Sequence, residues 1–275
     1  MKKDYQILLE LFMLKEAAYS AENMGKTFLA ETDPEPVDCI RGREGADVVL
    51  VCEHAGRAIP KRLGSLGLMP EHLDRHIAWD IGALAVSERI AANLGADLIK
   101  QRYSRLVYDC NRPFEASDAT PEVSEDVTIP GNRNLSPEER MIRKRTIFDP
   151  YDAALTAILD ERPKRAAFAI HSFTPVYLGK HRPWHLGLLS RTDPDTADII
   201  AATMQRRDNR MLVGKNVPYM IEEDSDWFIP RHAEPRGLAH CLIEIRNDLI
   251  DTKVGQNIWA DHLTAAFKDV LEKRK

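Results

Sequence analysis

Asp47-Val-Val-Leu-Val-Cys52, broken at once by Glu53-His54-Ala55-Gly56, is the stretch of this 275-residue chain that decides its fold. A short apolar run with no polar alternation marks a strand buried on both faces, as in the parallel part of an α/β sheet. Downstream, 80–94 carries Ile81, Leu84, Ala85 and Ile90 at helical spacing, with Gly95 to end the helix. Strands are expected at 97–101 and 105–109. Ser136-Pro137-Glu138-Glu139 is a capping box that opens a helix toward Asp160, with a kink expected at Pro150. Strands at 166–171, 186–190 and 240–246, a helix at 195–206 and an amphipathic helix over 251–273 complete the pattern. Alternating strands and helices predict one α/β domain over 37–275, its mainly parallel or mixed sheet covered on both faces.

Upstream, 31–44 is polar and contains Pro34 and Pro36, so it reads as a linker. Residues 1–36 are expected to form a helical extension, with an amphipathic helix over about 4–22 presenting Ile7, Leu8, Leu11 and Leu14. The apolar run 7–14 is interrupted by Glu10 and is too short to span a membrane. Composition is ordinary for a globular protein, with 44% hydrophobic and 29% charged residues. The net charge of −5 gives no electrostatic footprint for nucleic acid or an anionic membrane. Cys39, Cys52, Cys110 and Cys241 have no metal-finger or CxxC spacing, which suits a reducing cytoplasm.

Three residues fall where a sheet of this kind places its chemistry. His54 follows the first buried strand, His171 ends the apolar run 166–170, and Asp80 begins a helix. Singly, each histidine reads as a hydrogen-bonded loop residue and Asp80 as a helix cap. Together, two imidazoles and a carboxylate are the three protein ligands of a catalytic zinc that keeps one position for water. Glu53 is expected to point away from His54 if the backbone stays extended. His181 and His185 flank Pro183 and read as loop residues, and His76 has no distinguishing context.

Glu244 interrupts the apolar strand Cys241-Leu242-Ile243-Glu244-Ile245-Arg246, and a buried carboxylate needs a partner. It is either salt-bridged to Arg246 or a general base beside a metal. Arg105, Asn111 and Arg112 cluster within 103–113, where guanidinium groups suit an anionic substrate or pair with Asp109 or Glu115. There is no nucleophile-elbow, phosphate-loop or dinucleotide-binding motif. Two rivals to a metallohydrolase remain: an acyl transferase using Cys52 or Cys110, and a non-catalytic protein binding carboxylated ligands.

Taken together, VLVCEHAGRAIP at 49–60, AWDIGALA at 78–85, SRLVYDCNRP at 104–113, AIHSFTP at 169–175 and the strand with Glu244 resemble the N-formylglutamate amidohydrolase family. The resemblance spans about 37–255 and implies a three-layer α/β/α fold of the phosphorylase/hydrolase type, related to zinc carboxypeptidases and acylases. It implies hydrolysis of an N-formyl or N-acyl amino acid, with His54, Asp80 and His171 around Zn²⁺ and Glu244 as base. Asn111 and Arg112 would face a carboxylate of the small-molecule substrate, with Arg105 beside them. Two departures stand out: Arg57 occupies the place of the glutamate in a His-x-x-Glu pair, and Glu53-His54-Ala55-Gly56 replaces a Pro-His-Ser-Gly-like motif.

Overall fold

The computed structural model describes residues 28–274. The expected helix over 4–22 lies outside the described residues. A central sheet is built from β1 (Val37–Ile40), β2 (Val48–Cys52), β3 (Asp97–Gln101), β4 (Ala166–Phe173), β5 (Leu186–Leu189), β6 (Val213–Lys215) and β7 (Ala239–Arg246). Its order is β1-β3-β2-β4-β7-β5-β6. The four central strands run parallel, whereas β1 is antiparallel to β3 and β5 to β7, so the sheet is mixed.

Every residue of β2 and β4 is buried, which explains why both read as unbroken apolar runs. Alternate side chains feed two cores. Leu50, Phe168 and Ile243 meet α1 (Ala83–Leu94), α4 (Pro194–Arg207) and α5 (Lys253–Lys273) through Ile90, Ile200 and Phe267. Phe168 and Phe267 stack with centroids 3.8 Å apart. On the other face, Val49, Val51 and Ala169 meet Tyr151 and Leu155 from α3 (Asp149–Glu161) and Ile147 from the segment that joins it to α2 (Pro137–Arg143). The result is the expected three-layer α/β/α arrangement.

Local departures have physical causes. The capping box forms: Ser136 N–H donates to Glu139 Oε2 at 2.8 Å, and Glu139 N–H donates to Ser136 Oγ at 3.2 Å. Where a kink is expected at Pro150, the helix widens into a π-helical turn over Lys144–Phe148, just before the residue whose missing N–H breaks the ladder. The expected strand at 105–109 is a turn. Ser104 Oγ accepts the Leu106 N–H at 3.2 Å, and Val107 N–H donates to Ser104 O at 2.9 Å, so a serine turn outcompetes extension. The supposed linker 31–44 contains β1, a short edge strand that carries the charged Asp38 and adds to β3.

The chain leaves β2 for β3 on one side and later lays β4 on the other. That reversal opens a crevice at the carboxyl ends of β2 and β4, the place where open α/β sheets receive ligands.

Candidate metal centre and substrate cavity

His54, Asp80 and His171 converge in this crevice, all buried. His171 Nδ1 lies 3.1 Å from His54 Nδ1 and 3.0 Å from Asp80 Oδ2, and His54 Nδ1 lies 3.4 Å from the same oxygen. Asp80 does not cap α1. That position is held by Gly82 in a left-handed conformation, φ +80°, and a Cβ there would meet Ile250 O at 2.1 Å. The turn carrying Asp80 is pinned instead to both strand ends: Asp80 N–H donates to His54 O at 3.0 Å, and Ser172 N–H donates to Asp80 Oδ2 at 3.1 Å.

The far side of each imidazole faces a carboxylate. His54 Nε2 donates to Asp109 Oδ1 at 2.7 Å, and His171 Nε2 lies 3.1 Å from Glu53 Oε2. An ionised carboxylate only accepts, so Asp109 fixes the His54 proton on Nε2 and turns the Nδ1 lone pair toward His171 and Asp80. Glu53 reaches this centre because the backbone turns at 53–54, which cancels the alternation expected of an extended chain.

Burial works against the charged forms of Asp80 and Asp109. His54 and His171 around the first, and His54 and Arg105 beside the second, nevertheless hold both carboxyls well below the usual range. Burial also opposes a charged His171, but Glu53 and Asp80 raise it well above an ordinary imidazole. Two nitrogens and one oxygen this close form a cluster of electron pairs that only protons or a cation can hold together. A divalent ion suits that donor set.

Glu244 pairs in register with His171 on the neighbouring strand, and its Oε2 is buried without a hydrogen-bond partner. Burial, with Asp80 adding to it against the opposing His171, His54 and Arg105, pushes this carboxyl up to about 7. A salt bridge to Arg246 does not form, since Arg246 Nε bonds Asp248 at 2.8 Å. Opposite Glu244 on β5 is Gly187, where a Cβ would meet Val217 O at 1.9 Å. That glycine admits the loop carrying Tyr219 to the mouth of the site.

A cavity of about 450 Å³ is lined by His54, His171 and Glu244 and also by Arg105, Asn111 and Arg112. The last three are differently engaged. Arg105 bonds Asp109 Oδ2 at 2.8 Å and lies 3.5 Å from Asp80 Oδ1. Asn111 Oδ1 accepts the N–H groups of Trp227 and Phe228, each at 3.1 Å, while its Nδ2 donates to Asp226 at 3.2 Å. Arg112 is held by Asp118 at 2.9 Å and Ser225 O at 2.8 Å.

Sequence reasoning missed Glu53, Asp109 and His76. His76 Nδ1 is 3.6 Å from Asp80 Oδ1, and burial pushes its pKa down to about 4. Only the adjacency of Glu53 to His54 carried a signal. Cys52 and Cys110 are buried and their thiols are pushed well up by burial, the opposite of an activated nucleophile.

Fold and site together define an α/β protein with a cavity at the carboxyl ends of its central strands, lined by His54, His171 and Glu244. The family model of N-formylglutamate amidohydrolase matches residues 46–251, so the chain belongs to that family of amidohydrolases. A solved gene product from Agrobacterium tumefaciens is 38% identical with a TM-score of 0.85, covering 90% of this chain and 100% of its own. An N-formylglutamate amidohydrolase from Ralstonia eutropha JMP134 shares the fold at 19% identity, with a TM-score of 0.66, over 88% of this chain and 98% of that one. Comparison with curated proteins finds no match. Among the described residues, no helix is long and apolar enough to cross a membrane.

Proposed function

We propose that this protein is a zinc-dependent amidohydrolase that cleaves the amide bond of an N-formyl or N-acyl amino acid. The observation that carries the reading is the meeting of His54 Nδ1, His171 Nδ1 and Asp80 Oδ2 beside the unpartnered Glu244 Oε2. Zinc bonds of about 2.0–2.1 Å at tetrahedral angles separate their donors by roughly 3.3–3.4 Å, close to the observed spacings. The bound ion supplies Lewis acidity, lowering the pKa of a water and polarising the acyl carbonyl.

The chain's own residues do the rest. Glu244 in its ionised form takes the proton of the attacking water and returns it to the leaving amine. Asp109 and Glu53 keep the imidazoles oriented. Arg112 presents positive charge to the substrate carboxylate, while Arg105 and Asn111, committed to Asp109 and to residues 226–228, hold the wall in place. The cavity suits a small carboxylate-bearing substrate, and a reducing cytoplasm remains the compartment we propose. The division at residue 37 into an extension and one domain is likewise part of this reading.

The test is metal analysis of the purified protein together with a hydrolysis screen over N-formyl and N-acyl amino acids. About one zinc per chain and turnover of at least one class are expected. Metal-free protein that hydrolyses them equally well would overturn the reading.

A further inference from the structure

We propose that Arg182 is an anion-binding residue of this site: boxed by Phe173, Tyr177 and Tyr219 beside the cavity, its guanidinium takes a carboxylate of the substrate. The proposal rests on the hydrolase reading but adds to it a residue that the sequence pattern did not single out.

Arg182 follows a small hairpin, Val176–Tyr177 against Lys180–His181, that leaves the end of β4. Its N–H donates to Pro175 O at 2.8 Å, which closes the hairpin and turns the side chain inward. The residue is 9% exposed. Its guanidinium carbon lies 4.4 Å from the Tyr177 ring centroid, 5.0 Å from that of Tyr219 and 5.9 Å from that of Phe173. Nη1 donates to Tyr219 Oη at 3.1 Å.

Arg182 differs from the two arginines that line the cavity. Arg105 pairs with Asp109 and Asp80, and Arg112 with Asp118 and Asp226. Among the described residues, no carboxylate forms an ion pair with Arg182. A buried cation without a counter-ion is unfavourable, and aromatic faces offset only part of that cost. Apart from the Nη1 bond to Tyr219, the remaining N–H groups suit the parallel hydrogen bonds that a carboxylate accepts.

Position points the same way. Tyr177 and Tyr219 line the cavity together with His54, His171 and Glu244. Two of the three rings around Arg182 thus form part of the cavity wall, and an anion held by its guanidinium would sit beside the candidate metal ligands.

The experiment compares wild type, Arg182→Ala and Arg182→Lys, all zinc-loaded, with two probes. Calorimetry measures binding of glutarate and of its uncharged diamide, glutaramide. Kinetics measure N-formyl-L-glutamate and its diamide. Arg182→Ala should weaken glutarate binding and raise KM for the diacid about 10- to 100-fold, the range for a charged hydrogen bond, with kcat little changed. The diamides should be unaffected, and Arg182→Lys should restore part of the loss. Equal losses for diacid and diamide, or no loss for either, overturn the proposal. Wild type that hydrolyses neither compound would count against the hydrolase reading alone, because glutarate binding still decides the role of Arg182. Wild type that binds glutarate no better than glutaramide overturns the proposal, and Arg182→Lys carries the comparison if the alanine variant fails to fold.

Discussion

His54 and His171, 117 residues apart in the chain, meet through their Nδ1 atoms at 3.1 Å while their Nε2 atoms face Asp109 and Glu53. Two imidazoles oriented in this way expose lone pairs to one point. The carboxylates behind them are as much part of the arrangement as the rings.

Asp109→Asn and Glu53→Gln should therefore each weaken zinc affinity by about 10- to 100-fold, the usual effect of losing the partner of a ligating histidine. Competition with a chromogenic chelator measures this. Unchanged affinity in both variants would show that the carboxylates do not orient the rings.

Glu244→Gln keeps the shape of the strand but removes the proposed base. Zinc content should stay near that of wild type, while kcat falls by about 10²- to 10⁴-fold. A variant that turns over at the wild-type rate would remove Glu244 from the chemistry.

Stripping the metal with a chelator should abolish hydrolysis and lower the melting temperature, because an ion bound only by the folded state stabilises it by mass action. Zinc should restore both properties. Activity that persists after metal removal would revive a thiol route, against the raised thiols of Cys52 and Cys110.

Gly82→Ala places a Cβ against Ile250 O and strains a left-handed residue two positions after Asp80. It should destabilise the fold by at least 1 kcal/mol, the order expected for non-glycine strain of this kind, and also weaken zinc binding. Denaturant unfolding with and without zinc separates the two effects. A variant as stable as wild type would mean the turn relaxes freely.

Asp97 lies at the opposite end of the sheet, where it accepts hydrogen bonds from Lys164 Nζ at 2.6 Å and Gly42 N–H at 2.9 Å. Burial pushes its carboxyl up, but Lys164, Gly42 and Arg41 outweigh burial and hold it below the usual range. Its contribution is therefore complete above the unfolded pKa of about 3.9 and is lost as pH falls through the lower folded value. Asp97→Ala leaves Lys164 buried without its partner and should cost about 3–5 kcal/mol at pH 7. Thermal melts of both proteins between pH 7 and pH 2 should converge toward the acid end. A gap that does not narrow would exclude this linkage.

How much of this was legible in the sequence depends on whether the deciding interaction is local. The buried strands at 48–52, 166–173 and 239–246 announce themselves by apolar content, and the Ser136 capping box by four consecutive residues. The edge strand Val37–Ile40 did not, because its reason for being extended is β3, about 60 residues away. At 105–109 an apolar run lost to a serine side chain bonding its own backbone. In the site, His54, Asp80, His171 and Glu244 stood at strand ends or broke an apolar pattern, and the fold gathers them. Glu53 and Asp109 were missed because their partners are rings on other segments. Arg182 was missed because what distinguishes it is the carboxylate it lacks, a property of its surroundings.

The meeting of the two rings through Nδ1 has a mechanical consequence. Nδ1 is the nitrogen nearer the main chain, so a guest atom gripped there would ride on short, stiff arms, one from the turn after β2 and one from β4 itself. Sliding β2 along β4 would spread the grip almost one for one. Occupancy by the ion would thus double as a gauge of whether these two strands are seated, and loading would act as a clamp across the middle of the sheet.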